Sequence, residues 1–334
     1  MGIDCGSQIV LCDLPIHFDT YTGCSHACKY CFVKRNKDIS KIEIKNTIES
    51  LKSFISGKRT QPTNWCDWKI PLHWGGMSDP FQPIEKKYKI SLECLKIFAE
   101  TQYPFVVSTK GKLLATDEYL SVLKKCNAVV QISMVCSQYD IIERGCPTYE
   151  ERLEMVRKIA PNCKRVIIRA QPYMPEVLKD LCNNIPRLAD AGAHGLTIEG
   201  MKFTKKVWGL EKIGADYCYP IKVLKPHFEQ IRQTCHKNGM AFYCAENRLR
   251  TMGDHMTCCG IGGLEGFRGN EYNLCHIYNG KKPKPTERMK QKHTAYGYKA
   301  IDQKAGASQR ISNMSFCEAT HEILKSGRYE KVFK

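Results

Sequence analysis

The sequence lacks any uncharged apolar run that approaches the roughly 18 to 20 residues needed to span a bilayer. It also opens without the charged and apolar segments of a secretory leader. Nineteen cysteines, an odd number, in a chain of 334 residues do not fit the small secreted proteins that disulfides hold together. We therefore predict a cytoplasmic protein with reduced thiols and no membrane partner.

Acidic residues are scarce relative to basic ones: 34 Asp and Glu stand against 51 Lys and Arg, which gives a formal net charge of +17. Residues 281–334 hold 13 of the basic and only 5 of the acidic residues, so much of the excess lies near the end of the chain. Such a basic segment with interleaved aromatic residues could bind a phosphate backbone and stack on bases, or it could be an ordinary solvated tail. The aromatic residues concerned are Tyr296, Tyr298, Phe316 and Tyr329.

Between residues 10 and 245, short β-branched runs alternate with amphipathic runs, a pattern that predicts a parallel sheet covered by helices. The predicted strands are 14–20, 69–74, 105–108, 128–134, 165–170, 195–199 and 241–244. We predict helices over 85–101 and 148–159, and the second of these begins with the Thr-x-x-Glu pattern of a capping box.

About six β/α units fit a partial (β/α)6 TIM-like barrel better than a closed eightfold one, although spacing alone leaves a doubly wound sheet open. Glycines interrupt the alternation after about residue 239. We therefore expect a core domain over 1–240 and a Cys/Gly-rich, basic C-terminal extension over 241–334. In either architecture, functional groups gather at the carboxyl ends of the strands.

Three cysteines with the spacing C-x3-C-x2-C follow the first predicted parallel strand: Cys24, Cys28 and Cys31. Three thiolates are one fewer than a [4Fe–4S] cluster needs for full ligation, so one iron would keep an exchangeable position. A zinc site is the alternative, with His26 as the fourth ligand, although no second close cysteine pair follows.

The cysteine loop resembles the signature of the radical S-adenosylmethionine (SAM) superfamily, including Tyr30 before the last cysteine. The resemblance implies the partial barrel and a [4Fe–4S] cluster on the three cysteines, whose open iron chelates SAM. It further implies reductive cleavage of SAM to a 5′-deoxyadenosyl radical that abstracts hydrogen from a substrate. An electron donor such as flavodoxin or ferredoxin would supply the electron.

Further segments between about residues 16 and 200 are similar to the branch of this superfamily that includes spore photoproduct lyase. They are H-W-G-G-M-S-D-P-F-Q-P-I-E at 73–85, the T-K pair at 109–110, and segments ending the next two predicted strands. The resemblance assigns contacts with SAM to Tyr30, Gly75, Gly76, Ser78, Asp79, Lys110, Ser133 and Arg169. Taken singly, these residues have simpler explanations, such as a tight turn at the glycine pair or a salt bridge from Arg169 to Glu199.

One departure separates the chain from spore photoproduct lyase itself. The lyase carries a hydrogen-donating cysteine two residues before the serine of its S-D pair, and this chain has Gly76 at that position. Cys66 and Cys136 are substitute candidates, although a single cysteine is most often a small buried apolar residue. We therefore expect a lyase-type or transferase-type reaction other than thymine-dimer repair.

Four later cysteines lie in a glycine-rich context that could wrap a metal: Cys244, Cys258, Cys259 and Cys275. A second Fe–S cluster or a structural zinc would need four ligands, with His255 as a substitute. Ordinary packing and a reactive thiol pair remain the alternatives.

Two functions follow from these patterns. The first is a radical SAM enzyme with DNA or RNA as its candidate substrate. The second is a non-catalytic, zinc-stabilised nucleic-acid-binding protein. The succession of polar and glycine-containing segments at strand ends favours the enzyme.

Overall fold

The fold is organised around one large sheet, seen in a computed structural model that describes residues 3–5, 10–35, 38–60, 63–66, 69–292, 314–327 and 329–333. The strands of the described residues are β1 (Asp4–Cys5), β2 (Ile16–Phe18), β3 (Leu72–Trp74), β4 (Phe105–Thr109), β5 (Ala128–Ser133), β6 (Arg165–Tyr173), β7 (Gly195–Gly200), β8 (Lys202–Phe203), β9 (Glu211–Ile213), β10 (Asp216–Cys218) and β11 (Ala241–Cys244). Eight of them form the large sheet in the order β1-β2-β3-β4-β5-β6-β7-β11. The other three form a small sheet in the order β8-β10-β9.

Seven strands of the large sheet run parallel, and only β1 pairs antiparallel with its neighbour β2. Every predicted strand overlaps one of these parallel strands. No pairing joins β1 to β11 among the described residues, so the sheet is open. The prediction of a partial, TIM-like α/β arrangement is confirmed.

Helices pack around this sheet, and most of them contribute to the main apolar core. They are α1 (Ile48–Ile55), α2 (Glu85–Tyr88), α3 (Ile90–Thr101), α4 (Asp117–Leu123), α5 (Tyr149–Ile159), α6 (Leu178–Asp190), α7 (Ile221–Lys237), α8 (Leu274–Tyr278), α9 (Glu287–Lys290), α10 (Phe316–Lys325) and α11 (Glu330–Phe333). Short 3-10 turns lie at Phe32–Arg35, Lys112–Ala115, Ser137–Ile141, Ala160–Asn162, Pro175–Val177 and Asn247–Met252. None of these helices combines the length and apolar character that a bilayer crossing requires.

The single helix predicted over 85–101 is wrong, because Lys89 adopts a left-handed conformation with φ of 50° and divides it into α2 and α3. The buried Glu85 carboxylate accepts the backbone N–H groups of Ser91 at 3.0 Å and Leu92 at 2.9 Å. It thereby caps the start of α3, where the first N–H groups have no partner within the helix. The capping box predicted for α5 is present, with Thr148 and Glu151 bonded reciprocally.

Alternate residues of the parallel strands face two different environments. Outward residues such as Phe105 and Val107 join the main apolar core beneath the helices. Inward residues near the amino ends form a separate apolar layer: Val106, Val129, Ile167 and Tyr243. The segment 258–267 covers this layer through Cys259, Ile261 and Phe267.

Hydrogen bonds fix the covering segment to the sheet. Gln131 Nε2 donates to Cys259 O at 3.2 Å, and Arg165 donates to the carbonyls of Gly260 and Gly262 at 2.9 and 2.8 Å. The large sheet itself includes β11 and so extends past residue 240, the predicted end of the core domain. The division into two domains stays a prediction.

Candidate metal and cofactor site

Cys24, Cys28 and Cys31 lie on one loop that follows the carboxyl end of β2. Cys24 N donates to Ile39 O at 2.9 Å, and Cys31 N donates to Cys28 O at 3.2 Å. Between the first two cysteines, Ala27 adopts a left-handed conformation with φ of 49° and tightens the turn. Cys28 is buried, whereas the other two thiols are partly exposed. Three thiols are thus presented at the predicted edge of the sheet.

A second loop, 142–146, docks on the cysteine loop. Lys29 N donates to Ile142 O at 2.9 Å, and His26 Nδ1 donates to Gly145 O at 2.9 Å. A Cβ at Gly145 would lie only 2.6 Å from the carbonyl oxygens of Ser25 and His26, so this close approach requires glycine. The two loops therefore form one packed unit.

His26 is buried beneath the cysteine loop, and its second ring nitrogen, Nε2, lies 3.1 Å from Asp79 Oδ2. Burial alone would lower the pKa of His26, but the ion pair with Asp79 more than offsets this effect and raises it. Both ring nitrogens are engaged within the protein. His26 is therefore not placed to complete a zinc site with the three cysteines, which removes the ligand on which the zinc alternative depended.

Asp79 connects the cysteine loop to the loop after β4. Its Oδ1 accepts Phe81 N at 2.9 Å and Thr109 Oγ1 at 2.7 Å, while its Oδ2 accepts Lys110 N at 2.6 Å and Gly111 N at 3.1 Å. Burial favours the neutral acid, but the adjacent imidazole and these hydrogen bonds outweigh it and lower the pKa of Asp79 to about 2. With both oxygens occupied, the ionised carboxylate is better suited to positioning the loops than to contacting SAM.

Ser78 forms a hydrogen bond to Gly23, the residue before Cys24. Its hydroxyl donates to Gly23 O at 2.5 Å, and Gln82 Nε2 donates to the same carbonyl at 2.9 Å. Gln82 Oε1 in turn accepts Ser25 N at 2.9 Å. The S-D-P-x-Q segment therefore supports both sides of Cys24.

The two glycines after β3 differ in what they require. Gly75 has a φ of 82°, and a Cβ there would lie 2.4 Å from Ser108 O, so this position requires glycine. At Gly76, the nearest atom to an added Cβ would be His17 Nδ1 at 3.6 Å, an ordinary contact. The turn thus explains Gly75 but places no steric demand on Gly76.

Lys110 extends towards the cysteine loop from the carboxyl end of β4. Its Nζ lies 3.8 Å from Glu143 Oε1 and 5.8 Å from the centre of the Tyr30 ring. Glu143 accepts the Tyr30 hydroxyl and pairs with the buried Arg152 at 2.5 Å. Arg152 also donates to Ser133 O at 2.8 Å, which places the end of β5 beside the same cluster.

Cys28 Sγ lies 3.6 Å from the sulfur of Cys146, a residue that the sequence analysis did not single out. The hydrogen bond with Cys146 lowers the pKa of Cys28 to about 6, with help from Lys110 and against the effect of burial. Burial, followed by the charge of Asp79, instead raises the pKa of Cys24 to about 12. The Cys28 sulfur is therefore the more readily ionised of these two predicted ligands.

A layer of polar side chains lines the inner face of the sheet, towards the carboxyl ends and next to the apolar layer. It consists of His17, His73, Ser108, Gln131, Arg169, Gln171 and Glu199. Most of these residues were not predicted from the sequence to be functional. The signal that would have found several of them is register, because Ser108, Gln131 and Arg169 each stand two residues after an inward apolar residue.

Hydrogen bonds connect this polar layer across neighbouring strands. Ser108 Oγ bonds to His73 Nε2 at 3.1 Å and to Gln131 Oε1 at 2.8 Å, and it accepts Arg169 NH1 at 3.1 Å. Arg169 Nε donates to Gln171 Oε1 at 2.6 Å, and Gln171 bonds onward to Glu199. Gln171 therefore stands between Arg169 and Glu199, in place of the direct salt bridge considered from the sequence.

Cys66 and Cys136 lie in the main apolar core, with no exposed surface. Neither thiol is presented at the inner face of the sheet, which argues against a hydrogen-donating role for either.

The described residues contain no group of three or more His, Cys, Asp or Glu side chains drawn together around a single metal ion. The Cys24, Cys28 and Cys31 donor set still suits a cubane cluster, in which each thiolate binds a different iron atom. Cys258 lies near Cys244, Cys259 and Cys275, but among the described residues these thiols do not form a group that could hold a metal ion. Cys259 instead packs in the inner apolar layer, and the His255 ring stacks on Tyr243 with centroids 6.1 Å apart. The second metal centre stays a prediction.

The aromatic residues predicted to stack on bases are only partly described. Phe316 is buried and stacks on Trp65 at 4.5 Å between centroids, so its predicted role in base stacking is wrong. Tyr329 packs partly buried against the main core, and Tyr296 and Tyr298 lie outside the described residues. A different aromatic residue, Trp208, is 98% exposed beside the small sheet, next to the exposed Lys205 and Lys206.

Comparison with solved structures places this arrangement among known folds. Spore photoproduct lyase complexed with dinucleoside spore photoproduct superposes with a TM-score of 0.57 at 17% identity, over 70% of this chain and 77% of the lyase chain. The chain resembles spore photoproduct lyase in fold. A double mutant of that enzyme with bound AdoMet and dinucleoside spore photoproduct gives 0.56 at 16% identity, over 69% of this chain and 76% of the mutant. The predicted resemblance to this branch is therefore confirmed for the fold.

Sequence comparison gives relatives that are named only as uncharacterized proteins. A protein of Mycobacterium tuberculosis is 24% identical over 204 residues, which cover 56% of this chain and 59% of the relative. A protein of Methanocaldococcus jannaschii is 23% identical over 170 residues, covering 47% of this chain and 60% of the relative. The chain thus spans about three fifths of the length of these curated relatives. No protein-family model matches the chain.

Proposed function

We propose that the chain is a radical SAM enzyme whose [4Fe–4S] cluster is held by Cys24, Cys28 and Cys31. The observation that carries this proposal is the three-thiol loop at the carboxyl edge of a lyase-like sheet, with the Lys110 ammonium beside it. When bound, the cluster would supply the electron that cleaves SAM into methionine and a 5′-deoxyadenosyl radical able to abstract hydrogen from a substrate.

The residues around the loop would have separate roles in binding and positioning. Lys110 would pair with the SAM carboxylate, and the carbonyls of Gly75 and Gly76 would face its ammonium group. Ser78 and Asp79 would hold the surrounding loops in place through the hydrogen bonds described above. The polar layer beside the loop would orient the substrate.

We infer that the substrate is a nucleic acid. The net charge of +17 would attract a phosphate backbone, and the exposed Trp208, close in sequence to the exposed Lys205 and Lys206, would provide a surface on which a base can stack. The structurally similar lyase was solved with a dinucleoside compound, which agrees with this class. The proposal includes a low-potential electron donor such as flavodoxin or ferredoxin, and a cytoplasmic location.

The cluster assignment is tested by anaerobic reconstitution with iron and sulfide, followed by dithionite, SAM and mass spectrometry of 5′-deoxyadenosine. We expect Cys28→Ala to lose both iron and 5′-deoxyadenosine formation, because the remaining two thiols cannot hold the cube. Cys182→Ala, a partly buried thiol on α6, is the matched control and should keep both. Continued 5′-deoxyadenosine formation by Cys28→Ala would overturn the ligand assignment.

Lys110→Ala should weaken SAM binding and leave the iron content unchanged, because only the Lys110 backbone N–H, which this variant retains, bonds to Asp79. Isothermal titration of the reconstituted variant with SAM measures the affinity. Loss of iron from this variant would mean that Lys110 supports the cluster instead.

The substrate class is tested by binding of single-stranded oligonucleotides at several salt concentrations. Affinity should fall steeply as salt rises, since bound phosphates release counterions. Trp208→Ala should weaken binding about tenfold, from a stacking contribution of about 1–3 kcal/mol, while Trp208→Phe should retain most of it. A flat salt response would contradict the nucleic-acid substrate.

A further inference from the structure

A fourth thiol, that of Cys146, lies against the cysteine loop although it is distant in sequence. Its sulfur is 3.6 Å from Cys28 Sγ, within the range of a hydrogen bond between sulfur atoms, and both cysteines are free thiols. The chain therefore brings one more thiol to the cysteine loop than the three-cysteine motif requires.

Contacts of Cys146 and of the residues before it hold it in this position. Its backbone N–H donates to Glu143 O at 2.8 Å, and the preceding Gly145 carbonyl accepts the ring of His26 at 2.9 Å. Glu143 is itself fixed by Tyr30 and by the buried Arg152. The approach of the two sulfurs thus follows from the docking of loop 142–146 as a whole.

Cys146 is poorly placed to be a fourth ligand of a cubane cluster. The four irons of a cube point their outer ligands towards different corners, so the ligand sulfurs stay well separated. A sulfur in contact with Cys28 Sγ lies beside the corner that Cys28 occupies. It can reach that ligand while the iron reserved for SAM remains open.

We propose that Cys146 is a positioning residue whose S–H group donates a hydrogen bond to the Cys28 sulfur when that sulfur ligates iron. Hydrogen bonds to cluster sulfurs are among the factors that set the reduction potential. A donor stabilises the reduced cluster more than the oxidised one, because reduction adds negative charge to the sulfurs. Cys146 therefore raises the reduction potential, a role that rests on the proposed cluster function.

The first test is an EPR-monitored redox titration of reconstituted wild type, Cys146→Ala and Cys146→Ser. We expect Cys146→Ala to shift the midpoint potential to more negative values at unchanged iron content, since it removes the donor. Cys146→Ser retains a donor and should restore the potential partly or fully, and Cys182→Ala should leave it unchanged. An unchanged potential in Cys146→Ala, or loss of iron from that variant, would overturn the proposal.

A second test requires no cluster and examines the contact itself. Metal-free protein is treated with glutathione disulfide, which oxidises two neighbouring thiols to one disulfide and is reduced to two glutathione molecules. Peptide mapping should then show a Cys28–Cys146 crosslink, which should also form in Cys31→Ala. A crosslink from Cys28 to another cysteine, or none, would overturn the proposal.

The two tests separate failure of the contact from failure of the proposed function. If the crosslink forms but the wild type binds no cluster, the proposed function fails and this proposal fails with it. If the cluster forms but the crosslink does not, only the role of Cys146 is refuted.

Discussion

Replacing Asp79 with asparagine tests whether this buried carboxylate holds the loops of the candidate site together. Asparagine has nearly the same shape, but it carries no charge and turns one acceptor oxygen into an N–H donor. In either orientation of the amide, its NH2 group faces N–H or O–H donors whose hydrogen bonds the carboxylate accepts in the wild type. At Oδ2 these are the backbone N–H groups of Lys110 and Gly111.

The expected size of the effect follows from these contacts. A buried donor left without a partner costs about 1–3 kcal/mol. Removing one partner of a buried ion pair costs about 3–5 kcal/mol, and here the surviving partner is His26, at 3.1 Å. The two terms describe overlapping interactions and are not added. We therefore expect Asp79→Asn to lower the free energy of unfolding by about 3–5 kcal/mol.

Urea unfolding followed by circular dichroism measures this loss. Asp216→Asn is the matched control, because Asp216 pairs with Arg35 at 2.6 Å but its side chain is 28% exposed. Such a partly exposed pair contributes about 1 kcal/mol or less. If Asp79→Asn destabilises the protein by no more than the control, the carboxylate does not fix the loops and the reasoning fails.

Two further predictions concern the same region. Gly75→Ala should lower the melting temperature by several degrees, because its Cβ would lie 2.4 Å from Ser108 O. Gly76→Ala should melt near the wild type, and equal effects of the two variants would contradict the steric explanation. The pKa of Asp79 is about 2 in the folded protein against an ordinary value of 3.8, so its stabilising contribution should be complete above about pH 4 and be lost as the pH falls through 2. Unfolding free energies between pH 5 and pH 2 should therefore fall more in the wild type than in Asp79→Asn, and parallel curves would refute the assignment.

The strands and the cysteine loop could be predicted from the sequence because their signals are local. A buried parallel strand such as β5 is an almost continuous apolar run, and the cysteine spacing is contained in one loop. The break at Lys89 could not be predicted, since it accompanies the capping of α3 by Glu85 within the folded core. Tertiary contacts of this kind override local propensity.

The contacts of the candidate site were also hidden from sequence reasoning. The contact of Asp79 with SAM stays a prediction; the partners that Asp79 has in the structure come from its own turn, the cysteine loop and the loop after β4, which no local pattern connects. In the sequence, Cys146 is an isolated cysteine, and only the docking of loop 142–146 on the cysteine loop brings it to Cys28. Phe316 looked like part of a basic tail, whereas its stacking on Trp65 places it in the core.

The segment 258–267 closes one end of the curved sheet. Among the described residues, the polar layer is thereby covered on the side of the strands' amino ends, and a substrate of the proposed enzyme would reach it from the side of the cysteine loop.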